Sequence, residues 1–363
     1  MMLISLLSIL SSCDRTKQMF RSAGCCTNTS SALHSTFSQK AVFPPDNPAV
    51  NTFTTIGRTL LGVETDGSFP FNYTSLYSSV AAAGDLAVAL NKDIAINKTA
   101  IVTEQTISLY GSDIRCHILT PLASDDAEPF PVILWARSLG IGIQASFYVT
   151  LMTALVHQTR AVVILPQYTD WMLDDDQTLS TAYSYEMEEL VEWVASHSTS
   201  LNVDASKIVV GGDSFGAFVW TRALLNTALP IKLMISVSGG LGSDDHAILP
   251  PGASQEYYYE PPDFFRWFSE TWAPLPESIR EPYLTVSDAD LMSHPPLLKI
   301  VGEYDLLASA QIEHASRLMA LGVDVTTLFM KGAPHNFILA SNFFPKETQY
   351  FIDAVDIMMR RLL

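Results

Sequence analysis

Apolar strand-like runs alternate with helical patterns along the chain, and this alternation constrains the fold more than any other feature. The runs PVILWA, AVVILPQY and KIVVGG have little polar interruption, and each is followed by a segment with helical spacing. Continuous apolar runs of this length are typical of strands that are buried on both faces. Strands that alternate with helices form a mostly parallel sheet with helices on both of its faces. The sequence therefore predicts an α/β fold.

Segments on either side of these runs extend the predicted sheet. AIVTEQTISLY and DIRCHILTPL alternate apolar and polar residues and are separated by Gly111-Ser112, which predicts a β-hairpin. Three later runs predict further strands, namely IKLMISVSG, PPLLKIVG and DVTTLFMKG. A helix that ends at Gly322 is predicted between the last two strands, and another helix closes the chain. The predicted helix AYSYEMEELVEWVASH places four apolar residues on one face, namely Met187, Leu190, Val191 and Val194.

One long segment interrupts the alternation. Residues 241–294 are rich in proline and aromatic residues, and so long an excursion within a compact domain is usually functional. We predict that this segment is a cap insertion over the core. Residues 101–240 and 295–363 then form the core of the domain.

The first 44 residues differ from the rest in composition. Met2–Leu10 is apolar but far too short to span a bilayer, and the serine- and threonine-rich stretch after it contains four basic residues and one acid. A secretory signal, an organellar transit segment and a plain disordered leader all fit this pattern. The localisation stays open between the cytoplasm and a secretory or organellar compartment, and residues 1–44 are set apart from the fold.

The overall composition excludes several classes of function. A formal net charge of -17 makes nucleic acid and anionic membrane poor partners. Three of the four cysteines fall within the first 26 residues, so the body of the chain needs no disulfide framework. No segment has the ligand spacing of a zinc or calcium motif, and we therefore expect no metal site. The oligomeric state stays open.

The stretch KIVVGGDSFGAF places Ser214 between a predicted strand and a predicted helix. Gly-x-Ser-x-Gly in this context is the pattern of a nucleophile elbow, a sharp turn that lifts a serine hydroxyl to the carboxyl edge of the sheet. The flanking Gly212 and Gly216 leave room for such a turn. We therefore predict that Ser214 is a catalytic nucleophile.

A nucleophilic serine needs a base and a residue that orients the base. Asp305 follows the predicted strand in LLKIVGEYDLL, and His335 follows the next strand in LFMKGAPHNF. The chain order Ser, Asp, His and the position of both residues after strand ends favour a triad of Ser214, His335 and Asp305. Glu303 is a rival to Asp305 as the residue that orients the histidine.

With this serine, aspartate and histidine, the chain resembles the hormone-sensitive-lipase-like esterases of the α/β-hydrolase superfamily. The resemblance lies in VDASKIVVGGDSFGA, HPPLLKIVGEYDLL, IEHASRLMALGVDV and GAPHNF. It implies an α/β-hydrolase fold with a composite cap, to which residues 45–100 would contribute the N-terminal part. It also implies cofactor-free hydrolysis of a small-molecule ester or lactone by a serine carboxylesterase.

The chain departs from this family in the loop after PVILWA. Arg137-Ser138-Leu139-Gly140 stands where the family has His-Gly-Gly-Gly, whose main-chain N–H groups bind the oxyanion. By resemblance, the main-chain N–H groups of Leu139, Gly140 and Phe215 are the oxyanion donors. Arg137 is a candidate brace for this loop, a candidate contact for an acidic substrate group, or an arginine turned to solvent. Tyr168, retained from the family's next motif, is a second candidate substrate-binding residue.

Two alternatives to an esterase stay open. The altered tetrad also fits a non-hydrolytic protein of the same fold that binds or cyclises a metabolite intermediate. More distantly, GIGIQA at residues 140–145 imitates the glycine fingerprint of NAD-dependent oxidoreductases. That alternative leaves Ser214, Asp305 and His335 unexplained.

Overall fold

The fold is seen in a computed structural model that describes residues 54, 100–122, 128–138, 145–167, 179–225, 230–239 and 287–363. The predicted leader lies outside these residues, as does most of both predicted cap segments. The assignments of residues 1–44, 45–100 and 241–294 therefore stay predictions.

The described residues form a sheet of eight strands in the order β1-β2-β4-β3-β5-β6-β7-β8. The strands are β1 Ala100–Leu109, β2 Ser112–Pro121, β3 Phe130–Ala136, β4 Val162–Gln167, β5 Val203–Asp213, β6 Ile231–Val237, β7 Leu297–Tyr304 and β8 Val325–Pro334. β2 runs antiparallel to both β1 and β4, whereas the pairs from β4 to β8 are all parallel. The predicted, mostly parallel sheet is confirmed.

Five longer helices connect or follow these strands. They are α1 Val149–Thr159, α2 Leu179–Ser196, α3 Phe215–Ala223, α4 Ala308–Ala320 and α5 Pro345–Leu362. Shorter helical segments lie at Ala145–Tyr148, Ser198–Leu201, Asp288–Met292 and Phe337–Ala340. Within the described residues, each predicted apolar run is a strand, and the helical patterns that follow them are helices, as predicted.

The turn of the β1–β2 hairpin begins one residue earlier than the Gly111-Ser112 turn that the sequence predicted. Ser112 already pairs with Leu109, and the turn residues are Tyr110 and Gly111, with φ angles of 48° and 76°. Two consecutive positive φ angles give a turn whose twist matches that of the flanking strands. Gly111 therefore occupies the second turn position, and Ser112 begins the next strand.

Two apolar cores lie on opposite faces of the sheet. Alternate residues of β3 enter different cores: Val132 and Leu134 contact the core that contains α2 and α3, whereas Ile133 and Trp135 contact the core that contains α1 and α5. This alternation is the two-residue period of a strand. The four residues predicted to share one face of α2 are all fully buried in the first core. The helices thus cover both faces, as predicted.

Helix α4 ends at the glycine that the sequence indicated. Gly322 has a φ of +86°, its N–H donates to the carbonyl of Met319, and the N–H of Val323 donates to that of Leu318. This pair of bonds is the Schellman motif, which satisfies carbonyls at the end of a helix. The turn leads into β8, and His335, the predicted base, directly follows the last residue of that strand.

Candidate active site

The turn between β5 and α3 holds Ser214 in a strained backbone conformation. Its φ is 50° and its ψ is −117°, a region that non-glycine residues rarely occupy. The Ser214 N–H donates to the carbonyl of Val237 over 2.8 Å, which fixes the turn against the neighbouring strand. Such strain persists only where the surrounding structure holds it, and strained residues cluster at functional sites.

The glycines on either side of Ser214 are required by close packing. A Cβ atom on Gly216 would lie 2.0 Å from the carbonyl oxygen of Ala136. A Cβ atom on Gly212 would lie 2.6 Å from the carbonyl carbon of Gly216 and 2.7 Å from the same Ala136 oxygen. Both glycines therefore let the turn pack directly against the end of β3, as the nucleophile-elbow prediction requires.

Three side chains that are distant in the sequence meet at the carboxyl edge of the sheet. His335 Nε2 lies 2.9 Å from Ser214 Oγ, and His335 Nδ1 lies 2.9 Å from Asp305 Oδ1. Asp305 and His335 are buried, whereas Ser214 is half-buried. The structure therefore brings together all three residues that the sequence nominated as a triad.

The carboxylate of Asp305 is held by donors besides the histidine. The Leu307 N–H donates to Oδ1 over 2.9 Å, and Gln311 Nε2 donates to Oδ2 over 2.7 Å. These bonds fix the orientation of the carboxylate. When Asp305 accepts from the Nδ1–H of His335, the imidazole Nε2 is left to accept a hydrogen bond from the Ser214 hydroxyl.

Glu303 occupies a different position. Its Oε2 accepts a hydrogen bond of 2.8 Å from the Gly332 N–H, where β8 bends with a φ of +77°. Glu303 thus ties β7 to β8, whereas Asp305 contacts His335. The preference for Asp305 over its rival agrees with this geometry.

The loop after β3 is tied to the nucleophile turn through buried side chains. The Ser138 N–H donates to the Tyr148 hydroxyl over 2.9 Å, and that hydroxyl donates to Asp213 Oδ2 over 2.8 Å. Asp213 Oδ1 also accepts from the indole N–H of Trp135 over 3.2 Å. Asp213 directly precedes Ser214 in the chain. The predicted oxyanion loop and the predicted nucleophile are therefore connected through two side chains.

The same loop is also tied to the histidine. Asn336 Nδ2 donates to Ser138 Oγ over 3.1 Å, and the Asn336 N–H donates to Ser238 Oγ over 3.1 Å. Asn336 follows His335 directly and has a left-handed backbone with a φ of 52°. Asparagine tolerates this conformation better than most residues.

The predicted oxyanion residues are described only in part. Phe215 is the first residue of α3, and the main-chain N–H groups of the first turn of a helix have no partner within the helix. Leu139 and Gly140 lie outside the described residues, so their role stays a prediction. Tyr168, the second candidate substrate-binding residue, also lies outside them.

Arg137 lies in the protein interior. Only 1% of its surface is exposed, so the reading of an arginine turned to solvent is wrong. Its Nη1 lies 3.5 Å from the Ser138 carbonyl. Burial holds the pKa of the nearby Tyr148 hydroxyl well above its ordinary value, and the Arg137 charge opposes part of that rise. Burial beside the loop supports the brace interpretation over contact with a substrate acid.

Burial changes the proton affinity of two charged groups around the site. It raises the pKa of Asp213 to about 7, although hydrogen bonds from Tyr148 and Trp135 oppose the rise. Burial lowers the pKa of Lys299 to about 7, and the Asp305 charge opposes that fall. The Lys299 ammonium donates to Ser236 Oγ over 3.0 Å and to the carbonyl of Gly239. Lys299 thereby secures the chain after β6, where the predicted cap insertion begins.

Two other histidines are buried away from these contacts. The rings of His294 and His314 lie edge to face, 6.4 Å apart. Burial lowers the pKa of His294 to about 4, and burial likewise holds the pKa of His314 well below its ordinary value. Both rings are therefore neutral at pH 7, and neither replaces His335 as a partner of Ser214 among the described hydrogen bonds.

Sequence reasoning missed the supporting residues around the triad. Tyr148, Asn336 and Lys299 each sit in an ordinary helix, loop or strand pattern, and their bonds to Asp213, Ser138 and Ser236 span 65, 198 and 63 residues respectively. No local periodicity encodes a bond of that span. Asp213 did have a signal, because it stands inside the glycine-serine motif.

Within the described part of the chain, no group of three or more His, Cys, Asp or Glu side chains could hold a metal ion. None of the described helices is long and apolar enough to cross a membrane.

Comparisons with known proteins assign the chain to a family. A family model described as alpha/beta hydrolase fold matches residues 141–339, which is more than half of the chain. The chain therefore belongs to the α/β-hydrolase family. The predicted fold, family and hydrolase class are thereby confirmed.

Individual relatives and solved structures agree with this family. An esterase of Fusarium pseudograminearum is 24% identical over 251 residues, covering 65% of this chain and 74% of that protein. The solved structure of a fungal esterase from Rhizomucor miehei has a TM-score of 0.72 at 21% identity, covering 88% of this chain and 98% of that one. A thermophilic carboxylesterase cloned from a metagenomic library has a TM-score of 0.66 at 19% identity, covering 80% and 97%.

Proposed function

We propose that this protein is a serine carboxylic-ester hydrolase that acts on an apolar small-molecule ester or lactone through Ser214, His335 and Asp305. The observation that carries the proposal is the pair of 2.9 Å contacts that link Ser214 Oγ to His335 and His335 to Asp305. Ser214 sits in a strained turn at the N-terminus of α3, which adds support, because this is the geometry of an activated nucleophile in the α/β-hydrolase fold.

The reaction begins when Ser214 Oγ attacks the ester carbonyl. His335 Nε2 accepts the serine proton, and the Asp305 carboxylate stabilises the resulting imidazolium. The negative charge on the tetrahedral oxygen is stabilised by the main-chain N–H of Phe215 and, in this proposal, by those of Leu139 and Gly140. His335 then gives its proton to the departing alcohol, which leaves an acyl group on Ser214.

Water completes the cycle. His335 takes a proton from the water as it attacks the acyl carbonyl, and the second tetrahedral intermediate collapses to release the acid and the free serine. Every proton transfer passes through the same imidazole, so no metal or organic cofactor takes part. An orienting carboxylate is needed at both stages, and the 2.9 Å contact between Asp305 and His335 supports this role for Asp305.

The apolar substrate class comes from the cap prediction. Residues 241–294 contain eight aromatic side chains in the stretch from 257 to 272, and these would line an apolar acyl or alcohol pocket. The names of the relatives agree with an ester substrate, since they include an esterase and a lipase. Acyl length and alcohol group are to be found by a turnover screen over p-nitrophenyl esters and lactones of graded size.

A fluorophosphonate probe tests the proposal because it reacts only with activated serines. We expect stoichiometric labelling of the wild-type protein and no labelling of Ser214→Ala. Ser316→Ala is the matched control, because the Ser316 hydroxyl bonds only to the carbonyl of Ile312 in its own helix. Labelling of Ser214→Ala at the wild-type rate would contradict the assignment of the nucleophile.

A binding or cyclising protein of the same fold is the second candidate. The tetrad Arg137-Ser138-Leu139-Gly140 favours it, because the family's glycine-rich oxyanion loop is altered. This candidate predicts that wild-type protein resists the probe and turns over none of the screened esters. The dinucleotide-binding alternative is set aside because the chain belongs to the α/β-hydrolase family.

A further inference from the structure

We propose that Ser138 is a positioning residue that couples the nucleophile turn to the histidine loop, with Tyr148 and Asn336 as its two partners. This inference rests on the proposed esterase function, because the three residues would keep Ser214 and His335 at the distance that proton transfer requires. The two arms of the coupling use different atoms of Ser138, so each can be removed separately.

The first arm leads from Ser138 to the nucleophile. The main-chain N–H of Ser138 donates to the Tyr148 hydroxyl over 2.9 Å, and Tyr148 donates to Asp213 over 2.8 Å. Ser138, Tyr148 and Asp213 are all at least 96% buried, so water does not compete for these bonds. Because Asp213 directly precedes Ser214, the arm fixes the loop after β3 relative to the nucleophile turn.

The second arm leads from Ser138 to the base. Asn336 Nδ2 donates to Ser138 Oγ over 3.1 Å across 198 positions of sequence, and 7% of the Asn336 surface is exposed. The Asn336 main chain is fixed as well, because its N–H donates to Ser238 Oγ over 3.1 Å. His335 immediately precedes Asn336, so the arm holds the imidazole loop against the loop after β3.

Both arms converge on one residue because three loops meet at this edge. The loops follow β3, β5 and β8. The loop after β5 carries Ser214 and the loop after β8 carries His335, so the triad depends on a fixed distance between these two loops. The family pattern has a glycine at position 138, which would keep the N–H arm but has no Oγ for the second arm. Ser138 therefore supplies a link that a glycine loop lacks, and it does so at one of the altered positions of the tetrad.

Positioning of this kind affects the chemical step more than substrate binding. A small displacement of the imidazole lowers the rate of proton transfer from Ser214, although the ester still binds. Loss of either arm should therefore lower kcat while KM stays nearly constant. A residue with a purely structural role would instead lower stability and leave kcat of the folded fraction unchanged.

A double-mutant cycle on Ser138 and Asn336 tests the second arm. Ser138→Ala removes Oγ and keeps the N–H, and Asn336→Gly removes the amide and keeps the left-handed backbone. We expect each variant to lower kcat for a p-nitrophenyl ester about tenfold, with KM changed less than about twofold. The double variant should be no slower than the slower single variant, because both changes remove the same bond. Multiplicative losses would overturn the coupling.

Tyr148→Phe tests the first arm, because it removes only the hydroxyl between Ser138 and Asp213. We expect a similar loss of kcat and a slower reaction with the fluorophosphonate probe. The control is Thr153→Val in α1, the helix that follows Tyr148. This change also removes a buried hydroxyl, but the Thr153 hydroxyl donates to the carbonyl of Val149 in its own helix. Equal kcat for Tyr148→Phe and wild type would overturn this arm.

Guanidinium unfolding of the same variants separates this inference from the proposed function. The Ser138–Asn336 bond predicts non-additive effects on the folding equilibrium whether or not the protein is an esterase. Non-additive unfolding in a protein that hydrolyses no ester would remove the proposed function and keep the linkage. Additive effects in both unfolding and kcat would overturn the linkage while the esterase activity stood.

Discussion

Asp305 and Glu303 lie two residues apart at the end of β7, yet their hydrogen bonds differ completely. Asp305 contacts the imidazole of His335, whereas Glu303 accepts from the main chain of Gly332. Chain order and position after a strand nominated both acids, and neither signal separates residues so close in sequence. Ser214 and His335 had better signals, since a glycine-flanked serine and a histidine after the last strand are specific in this fold.

The first prediction concerns these two acids. Asp305→Asn should lower kcat about 1,000- to 10,000-fold, because an amide at this position no longer holds the imidazole in the tautomer that accepts the serine proton. Glu303→Gln should keep kcat within about threefold, because the amide oxygen still accepts from Gly332. Steady-state hydrolysis of a p-nitrophenyl ester measures both variants. Equal losses would mean that Glu303 shares the orienting role.

At the scale of secondary structure, the elements were predictable and the contacts between their ends were not. The apolar runs and helical spacing define β3 to β8 and the helices between them, because burial of each face imposes the pattern. The convergence of Tyr148 and Asn336 on Ser138 was not predictable, because it depends on how three loops pack together. Sequence patterns report the face of an element, not the partner of a loop.

The second prediction concerns the junction of β3, β5 and α3. Gly216→Ala would place a Cβ atom 2.0 Å from the Ala136 carbonyl oxygen, so either β3 or the turn must move. We expect a loss of at least about 3 kcal/mol in the free energy of unfolding, together with loss of esterase activity. Urea denaturation measures the change in folding free energy.

Gly322→Ala is the matched control for this prediction. Its φ is +86°, but no atom lies within 4 Å of the added Cβ. The cost should be about 1 kcal/mol, from backbone strain alone, with kcat unchanged. Equal destabilisation by the two substitutions would show that the junction of β3 with the nucleophile turn is not as tightly packed as described.

For the whole molecule, acidic character and buried ionisable groups determine how stability depends on pH. Burial raises the pKa of the Glu186 carboxyl from 4.5 to about 7, and the charge of Glu189 adds to the rise. The folded protein therefore binds this proton more tightly than the unfolded chain does. The resulting stability is complete below about pH 4.5 and is lost as pH rises through about 7.

The third prediction follows from this pH dependence. Glu186→Gln should remove the part of the stability loss that occurs between pH 5 and about pH 8, so its thermal midpoint should fall less than that of the wild type over this range. Glu192→Gln is the control, because Glu192 is exposed on the same helix. If the thermal midpoints of wild type and Glu186→Gln fell by the same amount across this pH range, the raised pKa of the buried carboxyl would be contradicted.

The central claim is that His335 accepts the proton of Ser214 during ester hydrolysis. The most direct measurement is kcat/KM for a p-nitrophenyl ester with wild type and His335→Ala, after circular dichroism has established that both are folded. We expect a loss of at least about 1,000-fold in the variant, because it lacks the imidazole that accepts the serine proton. Hydrolysis by His335→Ala at the wild-type rate would contradict it.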